Sequence, residues 1–178
     1  TPHPMKHLPI LSLLALGTSS AYAASAPSSL FASNVEVSYV QQSTDGVAGH
    51  LNGWELSATA YLGKSDAFVN AQTSVGGDLG NGADAASLGY RFKNVGAIAD
   101  VALTVGSDET YGIALHRALG GGFGAWASYE KNAAGHDVSV VLSKMIVSNV
   151  SADLGYSWIN LDGAADANQW SLGVRFKF

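Results

Sequence analysis

The sequence predicts an all-β fold: a closed antiparallel up-and-down transmembrane β-barrel of ten strands, with eight as the alternative count. Three observations predict it. From Phe31 onward, apolar and polar residues alternate with period two in ten successive segments. All four prolines (Pro2, Pro4, Pro9, Pro27) lie in the first 27 residues, so nothing interrupts a hydrogen-bonded ladder in the body. The aromatic residues sort by strand end instead of scattering. Composition agrees: 13% of residues are charged, about half the usual ~25%, and 21 are Gly. A chain that is 47% hydrophobic and rich in aromatics is not a disordered one. The absence of cysteine excludes a disulfide framework and thiolate metal sites. A net charge of -5 argues against a nucleic-acid partner, which calls for a basic face. No run of 18 apolar residues follows the N-terminal segment, so the body contains no transmembrane helix.

The first element is an address. Met5-Lys6-His7 is mildly positive, Leu8–Gly17 is apolar, and Ala21-x-Ala23 is a small-x-small cleavage pattern. That order is expected of a secretory signal peptide. Residues 1–4 read as lying upstream of the natural start. Residues 1–23 are therefore set apart, and 24–178 form one barrel domain.

The strands follow in order, each named by its apolar face. Asn34–Val40 presents Val35, Val37 and Tyr39 against Asn34, Glu36 and Ser38. Trp54–Leu62 presents Trp54, Leu56, Ala58 and Ala60 against Glu55, Ser57 and Thr59. Ala67–Val75 presents Val69, Ala71 and Val75, and Phe68 breaks its pattern. Ala86–Phe92 presents Leu88, Tyr90 and Phe92 against Gly89 and Arg91. Ala97–Val105 presents Ala99, Val101, Leu103 and Val105 against Asp100, Ala102 and Thr104. Tyr111–Leu115 presents Tyr111, Ile113 and Leu115, with His116 on the polar face. Phe123–Tyr129 presents Phe123, Ala125, Ala127 and Tyr129 against Trp126 and Ser128. Val138–Leu142 presents Val138, Val140 and Leu142. Val150–Trp158 presents Leu154, Tyr156 and Trp158 against Ser151, Asp153 and Gly155. Trp170–Phe178 presents Trp170, Leu172, Val174, Phe176 and Phe178 against Ser171, Gly173 and Arg175.

Connections alternate between long (43–53, 77–85, 106–110, 130–137, 159–169) and short (63–66, 93–96, 118–122, 147–149), as strands crossing a membrane require. Tyr39, Trp54, Tyr111, Tyr129, Trp158 and Trp170 stand at the long-loop ends of the apolar faces. Phe31, Phe92, Phe123, Phe176 and Phe178 stand at the short-turn ends. These are two aromatic girdles at headgroup level. A soluble sandwich has no reason to sort aromatics this way, and the Ser, Gly, Ala and Thr of the other face are too small for its second sheet. In lipid every backbone group must be paired, so such a sheet must close.

The last strand, Gln169-Trp170-Ser171-Leu172-Gly173-Val174-Arg175-Phe176-Lys177-Phe178, alternates and ends in Phe. It resembles the assembly signal of Gram-negative outer-membrane β-barrel proteins, the superfamily that includes narrow porins and OmpA- and OmpX-type barrels. The resemblance extends over 24–178. It implies a bacterial outer-membrane location, lipid and lipopolysaccharide as surroundings, and recognition of Trp170, Leu172, Val174, Phe176 and Phe178 by the barrel-assembly machinery.

The long connections carry Asp45, Asp78, Asp84, Asp108, Glu109, Glu130, Asp137, Asp162 and Asp166. Beyond the leader, only Lys131 of the basic residues joins them, the others lying near short turns or the inner end of the last strand. Acidic loops of this kind are solvated surfaces, or share divalent cations with lipopolysaccharide phosphates. The spacing in Asp162–Asp166 is too loose for a dedicated metal site, and no cofactor or metal is expected. His50 near Asp45, and His136 beside Asp137, are the candidates for general-base chemistry. An outer-rim protease would need strands extending far above the membrane. A lipid A deacylase would need a histidine near the last strands, and none follows His136. No catalytic residue is assigned, and the chain is not expected to be an enzyme.

Inward positions carry the charges Glu36, Glu55, Arg91, Asp100, Asp153 and Arg175. Ten strands with small lumen residues lie at the boundary between a filled interior and a thin channel. The first functional expectation is a narrow passive pore for small solutes or ions. The alternative is a non-conducting surface barrel serving envelope integrity or adhesion.

Overall fold

The computed structural model describes residues 33–80, 84–96, 98–107 and 109–178. The leader 1–23, residues 24–32 with Phe31, and Asp108 lie outside them. The described chain is ten strands: β1 (Asn34–Thr44), β2 (Leu51–Tyr61), β3 (Ala67–Gly77), β4 (Ala85–Val95), β5 (Ala99–Gly106), β6 (Tyr111–Gly120), β7 (Phe123–Asn132), β8 (Gly135–Val147), β9 (Val150–Leu161) and β10 (Ala167–Lys177). Each pairs antiparallel with its sequence neighbours, and β1 pairs with β10 to close the barrel. The count is ten, not the alternative eight. Closure leaves no free edge running the length of the sheet, which a spanning sheet requires.

The β1–β10 seam runs from Asn34 opposite Lys177 to Thr44 opposite Ala167. The Phe178 N–H extends it by donating to the Ser33 carbonyl at 3.0 Å. The alternation read from the sequence maps onto the two faces of the wall. Leu56, Leu88, Leu103, Leu142, Leu154 and Leu172 all point outward and are exposed. Glu36, Ser57, Thr104, Ser139, Asp153 and Arg175 point inward and are buried. This is inside-out relative to a soluble domain, and only an apolar solvent around the barrel makes that distribution favourable.

Two expectations need correction. The connection expected at 130–137 is only residues 133–134, because β7 and β8 extend past their apolar stretches. Glu130 and Asp137 face each other across the β7–β8 ladder and are buried in the lumen, so they are not solvated loop residues. Their rungs carry too little apolar character to read as strand, because a polar lumen does not demand it. The second concerns Phe68, which interrupts the β3 pattern because its ring points inward. There it packs with Ala102 on β5, Ala114 on β6 and Tyr61 on β2.

That placement explains Gly89, the β4 residue opposite Phe68. A methyl group on Gly89 would overlap the Phe68 ring. A methyl on Gly155 would instead meet the Ser171 hydroxyl, which can rotate away. We expect Gly89→Ala to destabilise the barrel by about 1–3 kcal/mol through overpacking, and Gly155→Ala by clearly less. Urea unfolding of the refolded variants measures the difference. Equal costs would mean that Phe68 does not occupy the lumen.

Candidate functional site: the lumen

Arg175 on β10 is the centre of the inner half of the lumen. Its side chain has no exposed surface. Nε and Nη2 donate to Glu36 Oε2 on β1 at 3.1 and 2.8 Å. Nη2 also lies 2.6 Å from Asp153 Oδ2 on β9. The Ser143 hydroxyl on β8 donates to Asp153 Oδ1 at 2.5 Å, holding that carboxylate in place. The guanidinium then stacks over the Trp126 ring of β7, 4.7 Å from its centroid. Alternation alone brings these residues to one face; closure brings side chains of β1, β9 and β7 to one guanidinium, with Ser143 of β8 behind Asp153. The planar fork of Arg suits this, since it serves two carboxylates and an aromatic face at once.

The opposite wall is filled differently. Arg91 on β4 pairs with Asp66 of the β2–β3 turn, and its guanidinium lies 5.3 Å from the Tyr61 centroid. Lys93 Nζ lies 2.9 Å from the same Asp66 oxygen. The hydrogen bonds from Lys93 and Arg91 hold the Asp66 carboxyl below its ordinary range. Above them stands the Phe68 cluster. The inner half is therefore crossed by two aromatic side chains, Phe68 and Trp126, and two buried guanidiniums.

The outer half holds serines together with the buried side chains of Gln42, Gln169, Glu55 and Glu130 and, among the described residues, no guanidinium. The Ser139 and Ser157 hydroxyls are 2.7 Å apart, and Ser139 donates to Asp137 at 3.1 Å. Glu55 is buried on the rung that joins Ser38 and Ser74. At the mouth, Leu79 from the β3–β4 connection packs on Val40 and Leu51. Ile159, Leu161 and Ala167 pack with Ala134 and Ala164. Apolar residues of the long connections thus fold over the rim.

Of the six charges expected inside, Glu36, Glu55, Arg91, Asp153 and Arg175 are buried there. Asp100 is half-buried opposite His116 and accepts the Asn94 N–H at 2.8 Å, near the short turn. The structure brings Glu36, Asp153 and Arg175 together and leaves Arg91 in a separate ion pair. Sequence reasoning placed Trp126 on the inner face but not against Arg175; a bulky residue among Ser and Gly was the available signal. The candidate base pairs do not assemble alike. His136 stacks on Tyr129 with centroids 5.7 Å apart, while Asp137, next in the strand, points the other way into the lumen. His50 Nδ1 lies 2.7 Å from the Ser43 hydroxyl.

Outside, Tyr39, Trp54, Tyr111, Tyr129, Trp158 and Trp170 are all exposed at the long-connection end. Tyr39 and Trp54 meet edge to face at 5.4 Å, and Tyr156 contacts both Trp158 and Trp170 at 4.5 Å. Phe92, Phe123, Phe176 and Phe178 are exposed at the other end. On β10, Trp170, Leu172, Val174 and Phe176 share the outer face.

No family model matches the chain, and no curated protein matches it. Solved structures do. An outer-membrane channel from Pseudomonas putida F1 is 12% identical, with 91% of this chain and 98% of that chain covered and a TM-score of 0.51. An S-type phycobiliprotein lyase from Guillardia theta is 6% identical over 81% of this chain and 86% of that one, also at 0.51. The KdgM porin is 10% identical over 80% and 99%, at 0.46. The first two likenesses show the barrel fold and no activity, for a channel and a lyase share it equally well. Which side of the wall meets the apolar phase is decided by this chain's own surface. Apolar outside, polar within and ringed by aromatics at both ends, the chain has the architecture of a small outer-membrane β-barrel.

Proposed function

We propose that this protein is an outer-membrane barrel that does not conduct at rest, and that serves the envelope through its outer connections and lipid-facing wall. The observation that carries this is the bridge of Arg175 to Glu36, Asp153 and Trp126 across the inner half of the lumen. A water-filled channel leaves its lining exposed, whereas Arg175, Asp153, Ser143 and Ser151 here have almost no accessible surface. Membrane lipid, lipopolysaccharide at the acidic outer connections, and the assembly machinery reading the β10 outer face are the surroundings that this reading supplies. We assign it no reaction, cofactor or nucleic-acid partner.

The second reading is the narrow passive pore. It is favoured by the small inward side chains of the outer half, Ser74, Ser128, Ser139 and Ser157. Planar-bilayer recording of the refolded protein separates the two. The expected result is no steady ohmic conductance from the native chain, and a small continuous conductance from the double variant Phe68→Ala/Trp126→Ala. A stable open state in the native chain would overturn the non-conducting reading and favour the pore.

A further inference from the structure

The outer wall is not uniformly covered. Along β7 its outward residues are Phe123, Ala125, Ala127 and Tyr129, with Lys131 beyond them at the long-connection end. Two alanines between two aromatic rings leave a trough. Leu115 and Arg117 on β6 form one side, and Val140 and Leu142 on β8 the other, set rung by rung as Leu115–Ala127–Val140 and Arg117–Ala125–Leu142. The depression holds about 830 Å³ and continues past Leu154 to Trp158 and Trp170.

Its inner end is basic. Arg117 lines the trough and is exposed on the outer face. Among the described residues no side chain pairs with its guanidinium. Lys144, also outward, sits at the same end: Nζ donates to the Gly121 carbonyl at 2.7 Å and lies 3.9 Å from the Phe123 ring centroid. The β6–β7 turn thus anchors it at headgroup depth. A cation facing hydrocarbon is costly, so long basic side chains reach for the interface and for anionic groups there. A second depression on the outer wall, over Ala58, Ala71 and Ala86, holds about 470 Å³ and is lined by no Lys or Arg. Apolar volume and unpaired positive charge coincide only at the first of these two.

We propose that the β6–β8 trough is a docking site for an anionic diacyl phospholipid. An acyl chain lies along Ala125 and Ala127, and the phosphodiester meets Arg117 and Lys144 at the short-turn end. This rests on the membrane reading above. It adds to that reading a lipid class, a leaflet and a position on the wall. Basic pockets at one membrane face are the usual means of holding anionic headgroups.

The test is native mass spectrometry of the refolded barrel released from vesicles of phosphatidylcholine with or without phosphatidylglycerol. The native chain should retain phosphatidylglycerol over phosphatidylcholine by about tenfold or more, as two interfacial cations imply. Arg117→Gln/Lys144→Gln should abolish the preference. Ala125→Leu/Ala127→Leu, which fills the trough and leaves the charge, should abolish it too. Lys64→Gln, which removes a short-turn cation from the far wall, should leave it intact, and excess glycerol phosphate should not displace the lipid. A preference unchanged in either trough variant, or displacement by glycerol phosphate, would overturn the site while the barrel still inserts. Failure of the native chain to insert into either vesicle would overturn the membrane reading and the site with it.

Discussion

Arg175→Ala is expected to destabilise the refolded barrel by about 3–5 kcal/mol, the cost of breaking a buried ion pair from one side. Glu36 and Asp153 would remain, each almost without accessible surface and each deprived of its cation. Two carboxylates brought together without Arg175 also repel each other, and Trp126 loses the guanidinium above its ring. The penalty arises from the charges left behind more than from the bonds lost. Adding Glu36→Gln and Asp153→Asn to Arg175→Met should therefore restore much of the stability, because neutral amides need no counter-ion. Urea titrations of the single and combined variants measure both effects. A loss below about 1 kcal/mol for Arg175→Ala, the scale of solvent-exposed pairs, would show that water reaches the cluster. The non-conducting reading would fall with it.

Leu154→Arg should cost about 2–4 kcal/mol, because a charge on the lipid face near mid-depth has no counter-ion and no water. Leu154 stands half-way along β9, between Leu142 on β8 and Leu172 on β10, with an outward side chain. Phe176→Arg is the matched control. Phe176 also points outward but pairs with Val35 and Val150 at the short-turn end, where the cost of a charge falls to about 0–1 kcal/mol. The gap between the two variants, measured by unfolding from vesicles, is the expected result. Equal costs would show that the outer wall does not sit in hydrocarbon, and the exposed leucines would then need another cover.

How much of this was legible in the sequence differs between the wall and what it encloses. Val35, Val37 and Tyr39 face away from Glu36 and Ser38 because successive side chains of any strand point to opposite faces. That rule is local, so the two faces and the aromatic rings could be read directly, whereas the choice of ten strands over eight came from the closed ladder. Glu130 and Asp137 were misread for a related reason. A polar lumen asks for no apolar residues, so inward carboxylates at strand ends look like loop residues until the ladder between them is seen.

The sequence by itself determined an alternating β-barrel wall with an apolar exterior, because period-two alternation and the sorting of rings are properties of short segments, and it favoured ten strands while leaving eight open. Only the tertiary structure decided what fills the interior. Arg175 and Glu36 lie 139 residues apart and meet because β1 closes onto β10. Trp126 reaches the same guanidinium from β7, and Phe68 reaches Ala102 and Ala114 across the lumen. Such meetings depend on the stagger between strands and on the radius at which the sheet closes, and no single strand encodes either.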